Sequence, residues 1–306
     1  MATTQHTDID GSQRQAMSYG LMTVLCWSTV ATAFKLTLNY LSAAQLMVVT
    51  CAVSLIFLLV CLIVQDRFMQ LFQLSSRQYA WSALFGLMNP TLYYGVLFVA
   101  YDLLPAQEAQ ALNYSWAIVM SLLAVPILGH KLNRYDCAAV VMCYFGVLVI
   151  ATRGNVFGLE FANGQGVFLA LLSTLVWSLY WILNRQDTRE PIVGLSLNFL
   201  FALPMVLGYA AFKGELLTLL TVDWRGLAGG AYLGIFEMGL AFVLWLNAMK
   251  LAQNTSQVAN LIFISPFLSL VFISLFLDEP ILVSTVVGLC SILAGLFVQQ
   301  KMSNKS

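Results

Sequence analysis

Charge is scarce in this sequence. Lys and Arg number 14 and Asp and Glu 14, so charged residues make up 9% of 306 positions, against 60% hydrophobic residues. A soluble domain carries about 25% charged residues, and this chain cannot clothe a water-facing surface. The formal net charge is zero, so no nucleic-acid partner is expected, because binding phosphate backbones needs a basic excess. Catalytic and nucleotide motifs are also missing: there is no H-E-x-x-H, no G-x-S-x-G and no P-loop. The cysteines Cys26, Cys51, Cys61, Cys137, Cys143 and Cys290 are scattered through apolar segments with no C-x-x-C pair, and His6 and His130 have no ligand partner nearby. No metal, cofactor or catalytic residue is expected.

What the chain has is long apolar runs. Lipid accepts only helices or closed barrels. Barrel strands alternate apolar and polar residues, whereas these runs are apolar all round. At about 20 residues per crossing, the runs predict ten spans: 18–38, 42–64, 79–101, 105–128, 133–152, 166–184, 191–212, 226–249, 255–277 and 280–299. Residues 1–17 are polar and the first run is too long for a signal peptide, so a disordered cytoplasmic tail is expected there. With the N-terminus inside, inside segments hold Arg14, Arg67, Arg77, Lys131, Arg134, Arg185, Arg189, Lys250, Lys301 and Lys305. Outside loops hold Arg153, Lys213 and Arg225, and Lys35 lies within span one. Ten against three is a positive-inside bias that places both termini in the cytoplasm.

The chain repeats itself. Trp27-Ser28 recurs as Trp177-Ser178, 150 residues on, a register that also sets Lys35 against Arg185. Leu84-Phe85-Gly86 resembles Tyr232-Leu233-Gly234 (148), and Gly146 matches Gly295 (149). The expected architecture is an all-α integral membrane protein of ten transmembrane helices in two five-helix repeats. The repeats are 18–152 and 166–299, with 153–165 between them and 300–306 as a cytoplasmic tail. Five is odd, so the second repeat enters the membrane inverted, the pattern of secondary transporters with a site between the halves.

Polar groups inside the spans mark that site. An exposed carboxylate at mid-membrane costs at least ~2.5 kcal/mol. Glu237 lies near the centre of span eight, after Gly226, Gly230 and Gly234, and is expected on their face, pointing into the bundle. It can exchange a proton or hold a substrate amine. Glu108 sits near the outer end of span four, in the stretch Pro105–Ala117, where an ion pair with Lys35 is possible and a second proton-coupling role is open. Asn89-Pro90 interrupts span three, and Tyr93 is placed one turn beyond on the same side. Asn113, Tyr114 and Trp116 follow in span four. Trp177, Tyr180, Trp181 and Asn184 share part of one side of span six, and Asn260 lies in span nine. The candidate substrate contacts are Trp27, Asn89, Tyr93, Asn113, Tyr114, Trp116, Trp177, Tyr180, Glu237 and Asn260. They lie on spans one, three, four, six, eight and nine.

The two five-span repeats, the Trp-Ser pair opening each half and the glycine-bearing fifth helices resemble the drug/metabolite transporter superfamily, EamA type, from about Tyr19 to Gln299. Glu108 to Trp116, with Asn-Tyr-x-Trp at 113–116, is similar to a segment of bacterial aromatic-amino-acid exporters. Those carry proline directly after the tryptophan; here that position is Ala117, while Pro266 stands at the equivalent place in the second half. The resemblance implies a bacterial inner-membrane permease that exports small metabolites by alternating access. The reading is a secondary transporter of a small organic metabolite, with an amino acid first, working as an exporter with proton coupling and as a monomer or homodimer in the bilayer. A nucleotide-sugar or drug carrier, a non-transporting receptor or scaffold, and an intramembrane enzyme are the alternatives.

Overall fold

The computed structural model describes residues 2–129, 133–158, 161, 163–253 and 255–303, with the side chains of all but 2–11, 255, 256, 259 and 300–303. His130, Lys131 and Lys305 lie outside the described residues, as does the side chain of His6. Among those described there is no strand. The helices are α1 (Ala2–Leu38), α2 (Ala43–Val64), α3 (Ser76–Gly86), α4 (Tyr93–Leu103), α5 (Ala106–Asn113), α6 (Trp116–Leu128) and α7 (Arg134–Ala151). They continue as α8 (Gly164–Asn184), α9 (Pro191–Phe212), α10 (Trp224–Ile235), α11 (Ala241–Leu251), α12 (Thr255–Asn260), α13 (Ser265–Leu277) and α14 (Val283–Ser303). Eight segments have the length and composition to cross a membrane, and two further apolar helices, Leu261–Leu277 and Val283–Gln299, are shorter.

Local sequence sets the helix starts. Ser42 and Gln45, Ser75 and Gln78, and Asn133 and Asp136 form reciprocal capping boxes at α2, α3 and α7. Pro191 opens α9 at a position where its missing N–H costs nothing. At α1 the structure departs from the expected tail, because the helix runs from Ala2. Its residues from Ser12 are tied to the α11–α12 link: Ser12 Oγ donates to Leu251 O (2.8 Å) and Gln253 N donates to Gln13 Oε1 (2.8 Å).

The halves pack by matched contacts. A Cβ on Gly86 would lie 2.3 Å from Asn198 O, and one on Gly234 would lie 2.9 Å from Thr50 O. These are one contact made twice, since both the glycines and their acceptors, Thr50 and Asn198, lie 148 residues apart. Likewise a Cβ on Gly146 would meet Gly288 O at 2.4 Å, and one on Gly295 would meet Ala139 O at 2.9 Å. Gly146 and Gly295 lie 149 residues apart, as do Ala139 and Gly288, so α7 and α14 join the halves. The missing side chains let backbones approach closely where lipid offers no hydrophobic drive. Lys35, late in α1, and Gly166, at the start of α8, both touch Leu104, so the corresponding helices of the two halves run in opposite directions.

Each half also breaks one helix. Residues Leu87–Leu92 form a wide π-type turn between α3 and α4, with Asn89 at φ −141°, ψ 113°. Residues Phe236–Leu240 form another between α10 and α11. Such turns often sit at functional sites because the extra residue re-aims a side chain. Large apolar side chains such as Ile56, Val141, Phe168 and Leu275 face outward, as a lipid-facing surface requires.

Candidate functional site

A cavity of about 1070 Å³ lies between the halves. Its blind end is closed by the buried side chains of Phe34, Leu97 and Tyr101. Its mouth, at the end of the bundle where α1 begins and α11 and α14 finish, is lined by Asp136, Asn184, Arg185 and Gln299.

Aromatic rings make most of the wall. Tyr93 stacks on Trp177 at 4.4 Å, Trp177 meets Trp181 and Phe242 edge-on at 5.7 and 6.2 Å, and Trp27 meets Phe242 and Trp245 at 6.2 and 5.6 Å. A hydrogen-bond chain fixes the polar wall. Tyr93 Oη donates to Asn113 Oδ1 (3.3 Å), Asn113 Nδ2 donates to Ser173 Oγ (2.9 Å), and Ser178 Oγ donates to Trp116 O (2.8 Å).

Glu237 enters this cavity from the second wide turn. Tyr94 Oη donates to its Oε1 at 3.0 Å, while Oε2 is buried without a hydrogen-bond partner. No cation among the described residues pairs with it. A half-buried carboxyl with one oxygen free and aromatic faces around it can take up a proton or accept an ammonium group, and the rings add cation–π attraction for the latter.

The structure brings Trp27, Tyr93, Asn113, Tyr114, Trp116, Trp177 and Glu237 together on the wall. Three expected contacts fall elsewhere. Asn89 is buried in the first wide turn, outside the wall; its extended backbone breaks the helical spacing that would have set it beside Tyr93. Tyr180 is buried behind the wall, edge-on to Phe85 (5.8 Å) and stacked on Trp177 (5.9 Å). Asn260 is exposed at the end of α12, and the chain continues in a tighter turn, Leu261–Ile264, that presents Ile262 and Phe263 instead. Gly230 and Gly234 face α2, so Glu237 is not on their face; the wide turn re-aims it to the cavity.

Glu108 is buried and does not pair with Lys35. Arg153 Nε donates to Glu108 Oε1 at 2.6 Å, and Lys35 Nζ donates to the carbonyls of Tyr101 (2.6 Å), Asp102 (3.3 Å) and Leu104 (2.8 Å), the free end of α4. A helix C-terminus offers unpaired carbonyls and partial negative charge, which wins Lys35 from the carboxylate. Sequence reasoning missed Phe242 and Trp245. Phe242 is five residues beyond Glu237, an interval that aligns two side chains only across a π-type turn.

The sequence profile of the EamA-like transporter family matches residues 14–152 and 164–299. An uncharacterized transporter of Clostridium kluyveri is 25% identical over 94% of this chain and 93% of its own length. The uncharacterized transporter YvbV of Bacillus subtilis is 24% identical over 69% and 68%. The aromatic amino acid exporter YddG of Ancylobacter novellus is 26% identical over 52% and 54%. A solved crystal structure shares the fold, with TM-score 0.63 over 96% of this chain and 99% of its own, at 19% identity. The chain belongs to the EamA-like transporter family and is a multi-pass protein of the inner (plasma) membrane.

Proposed function

We propose that this protein is a secondary-active exporter of a small amine-bearing metabolite, an amino acid first, that works by alternating access and couples to protons at Glu237. In this reading the chain crosses the membrane ten times as two inverted repeats of five, with both termini in the cytoplasm. The positive-inside distribution of Arg and Lys supports that orientation. It makes the mouth at Arg185 and Asp136 a cytoplasmic opening and the blind end at Tyr101 a barrier toward the outside.

The observation that carries the reading is the unpaired Oε2 of Glu237 in an aromatic cavity of about 1070 Å³. The cavity is large enough for a small organic molecule. A ligand ammonium and a proton compete for one carboxyl, so each leaves when the other arrives; that competition is sufficient for exchange. Tyr94 keeps Oε1 occupied and leaves Oε2 to the exchanging group. The relative from Ancylobacter novellus is an aromatic amino acid exporter, which supports an amino acid with a ring as the first candidate. Glu108, bonded to Arg153 and outside the wall, is left out of the coupling.

The test is flux in proteoliposomes with an imposed pH gradient and a panel of radiolabelled aromatic and aliphatic amino acids. Glu237→Gln removes gradient-driven flux and leaves the thermal unfolding midpoint unchanged. Flux that the substitution does not alter sinks the reading.

A further inference from the structure

The two ends of the cavity are related by the repeat but are not in the same condition. At the blind end Lys35, on α1, caps the last carbonyls of α4, and α1 packs on α4. In the 150 register Lys35 corresponds to Arg185 on α8, and in the 148 register α4 corresponds to α11. The helices α4 and α11 finish alike. Leu104 and Ala252 both leave the helix with extended backbone, and their N–H groups donate to Ala100 O and Ala248 O, 148 residues apart. Yet α8 meets α11 through Trp177 on Phe242 (6.2 Å), at the start of α11, and among the described residues its backbone does not pack on α11 as closely as that of α1 packs on α4. Arg185 is exposed at the mouth, its backbone N–H donating to Trp181 O (3.1 Å) and its guanidinium making no hydrogen bond or ion pair to any described residue.

We propose that Arg185 is the second latch. When the mouth closes, its guanidinium caps the carbonyls at the end of α11, at Met249, Lys250 and Ala252, as Lys35 now caps Tyr101, Asp102 and Leu104. The inference rests on the alternating-access reading and adds the residue that holds the second state. Two inverted halves can exchange conformations, so the contact formed by one half in one state is formed by the other half in the opposite state. A cation is the right group, because the end of a helix presents unpaired carbonyls and negative potential.

The surroundings at the mouth fit. The position matching Asp102 holds Lys250, whose ammonium turns away to Glu190 at 3.9 Å. Asp136 lines the same mouth, with its oxygens accepting from Asn133 N (2.8 Å) and Gln299 Nε2 (3.2 Å). Its charge draws a guanidinium inward. Arg185 is thus a positioning residue: it sets the balance of states and leaves ligand chemistry to Glu237.

The experiment needs no transported ligand. A full-length variant with the six cysteines replaced carries one reporter, Ser121→Cys, on the cavity wall. Its reaction with a membrane-impermeant maleimide is timed from each face of sealed vesicles. Lys35→Ala weakens the blind-end latch and raises labelling from the blind-end face by about tenfold, the scale of one charge-assisted hydrogen bond lost. Adding Arg185→Ala returns that labelling toward the starting rate, and Arg185→Lys, which keeps a cation, leaves it high. Lys35→Gln repeats the series should the alanine variant fold poorly, as judged by its elution profile. Labelling that Arg185→Ala does not reduce, or that neither Lys35 variant raises, overturns the latch. Since the readout is access and not flux, an unchanged flux in Glu237→Gln would sink the coupling reading without touching this result.

Discussion

The wide turn at Leu87–Leu92 and the wide turn at Phe236–Leu240 occupy matched places in the two halves, since their last residues, Leu92 and Leu240, lie 148 residues apart, as do Gly86 and Gly234 just before them. Their surroundings are matched too, because Gly86 and Gly234 seat on the backbones of α9 and α2. The side chains they aim differ. The first turn buries Asn89 outside the cavity wall; the second delivers Glu237 to the cavity. The symmetric parts are backbone approaches, which two inverted copies need in order to exchange shapes. The asymmetric parts are the side chains the turns carry, an amide in the first and a carboxyl in the second, and under the proposed coupling one carboxyl suffices.

The largest effect on that comparison comes from filling the matched glycines. Gly86→Ala puts a methyl 2.3 Å from Asn198 O and 3.1 Å from Ala202 N, both fixed backbone atoms. Gly234→Ala puts one 2.8 Å from Val53 Cβ and 2.9 Å from Thr50 O. Overpacking of this kind costs about 1–3 kcal/mol. Both variants should unfold earlier in detergent, Gly86→Ala by more. A neutral Gly86→Ala would break the claim that the two contacts are one device.

Much of this symmetry is legible in the sequence. The Trp-Ser pairs, the glycines at 148–149 and the span limits are periodic signals, and the helices follow them to within a few residues, apart from the longer start of α1. Glu237 is legible as a costly carboxylate in an apolar run. What is not legible is the rotation that each wide turn imposes. One extra residue moves Asn89 off the wall and brings Phe242 onto it, and nothing in a 3.6-residue count anticipates that. The partners of Lys35 and Glu108 are equally hidden. Both ion-pair choices were available by depth, and the competing acceptor was backbone.

The next difference lies in the links after α1 and α8. The first, at Asn39–Leu41, has no charged residue. The second holds Asp187 and Arg189, joined at 2.6 Å, with Arg189 almost wholly buried and donating to Gln78 O and Ser82 Oγ on α3. Burial raises the Asp187 carboxyl, and the hydrogen bonds and charge of Arg189 more than offset this, so it sits below the usual carboxylate range. A carboxyl depressed by folding adds stability in full above its unfolded value and loses it as pH falls through the folded value. Asp187→Asn should therefore cost about 1–2 kcal/mol at neutral pH, a bond to a charged group discounted for partial exposure. Measured against pH, the gap between wild type and variant should hold down to about pH 4 and close below it. A gap that widened in acid would show that another group carries it.

The smallest expected effect is at Glu108, whose repeat partner is Gln257. Glu108→Gln makes the first half resemble the second at this position. The carboxylate is buried while Arg153 stays half exposed, so its attraction to the arginine is set against the cost of removing its own charge from water, and these nearly cancel. One oxygen of Glu108 also lacks a hydrogen-bond partner, a further cost that the charged form bears and an amide bears less. Glutamine can keep the bond from Arg153 through its carbonyl oxygen. The unfolding midpoint should then move by less than about 1 kcal/mol in free energy. Gradient-driven flux should survive, in contrast to Glu237→Gln. Loss of coupling in Glu108→Gln with an unchanged midpoint would move the proton site to the blind end. The two halves would then divide the chemistry between them instead of leaving it to one.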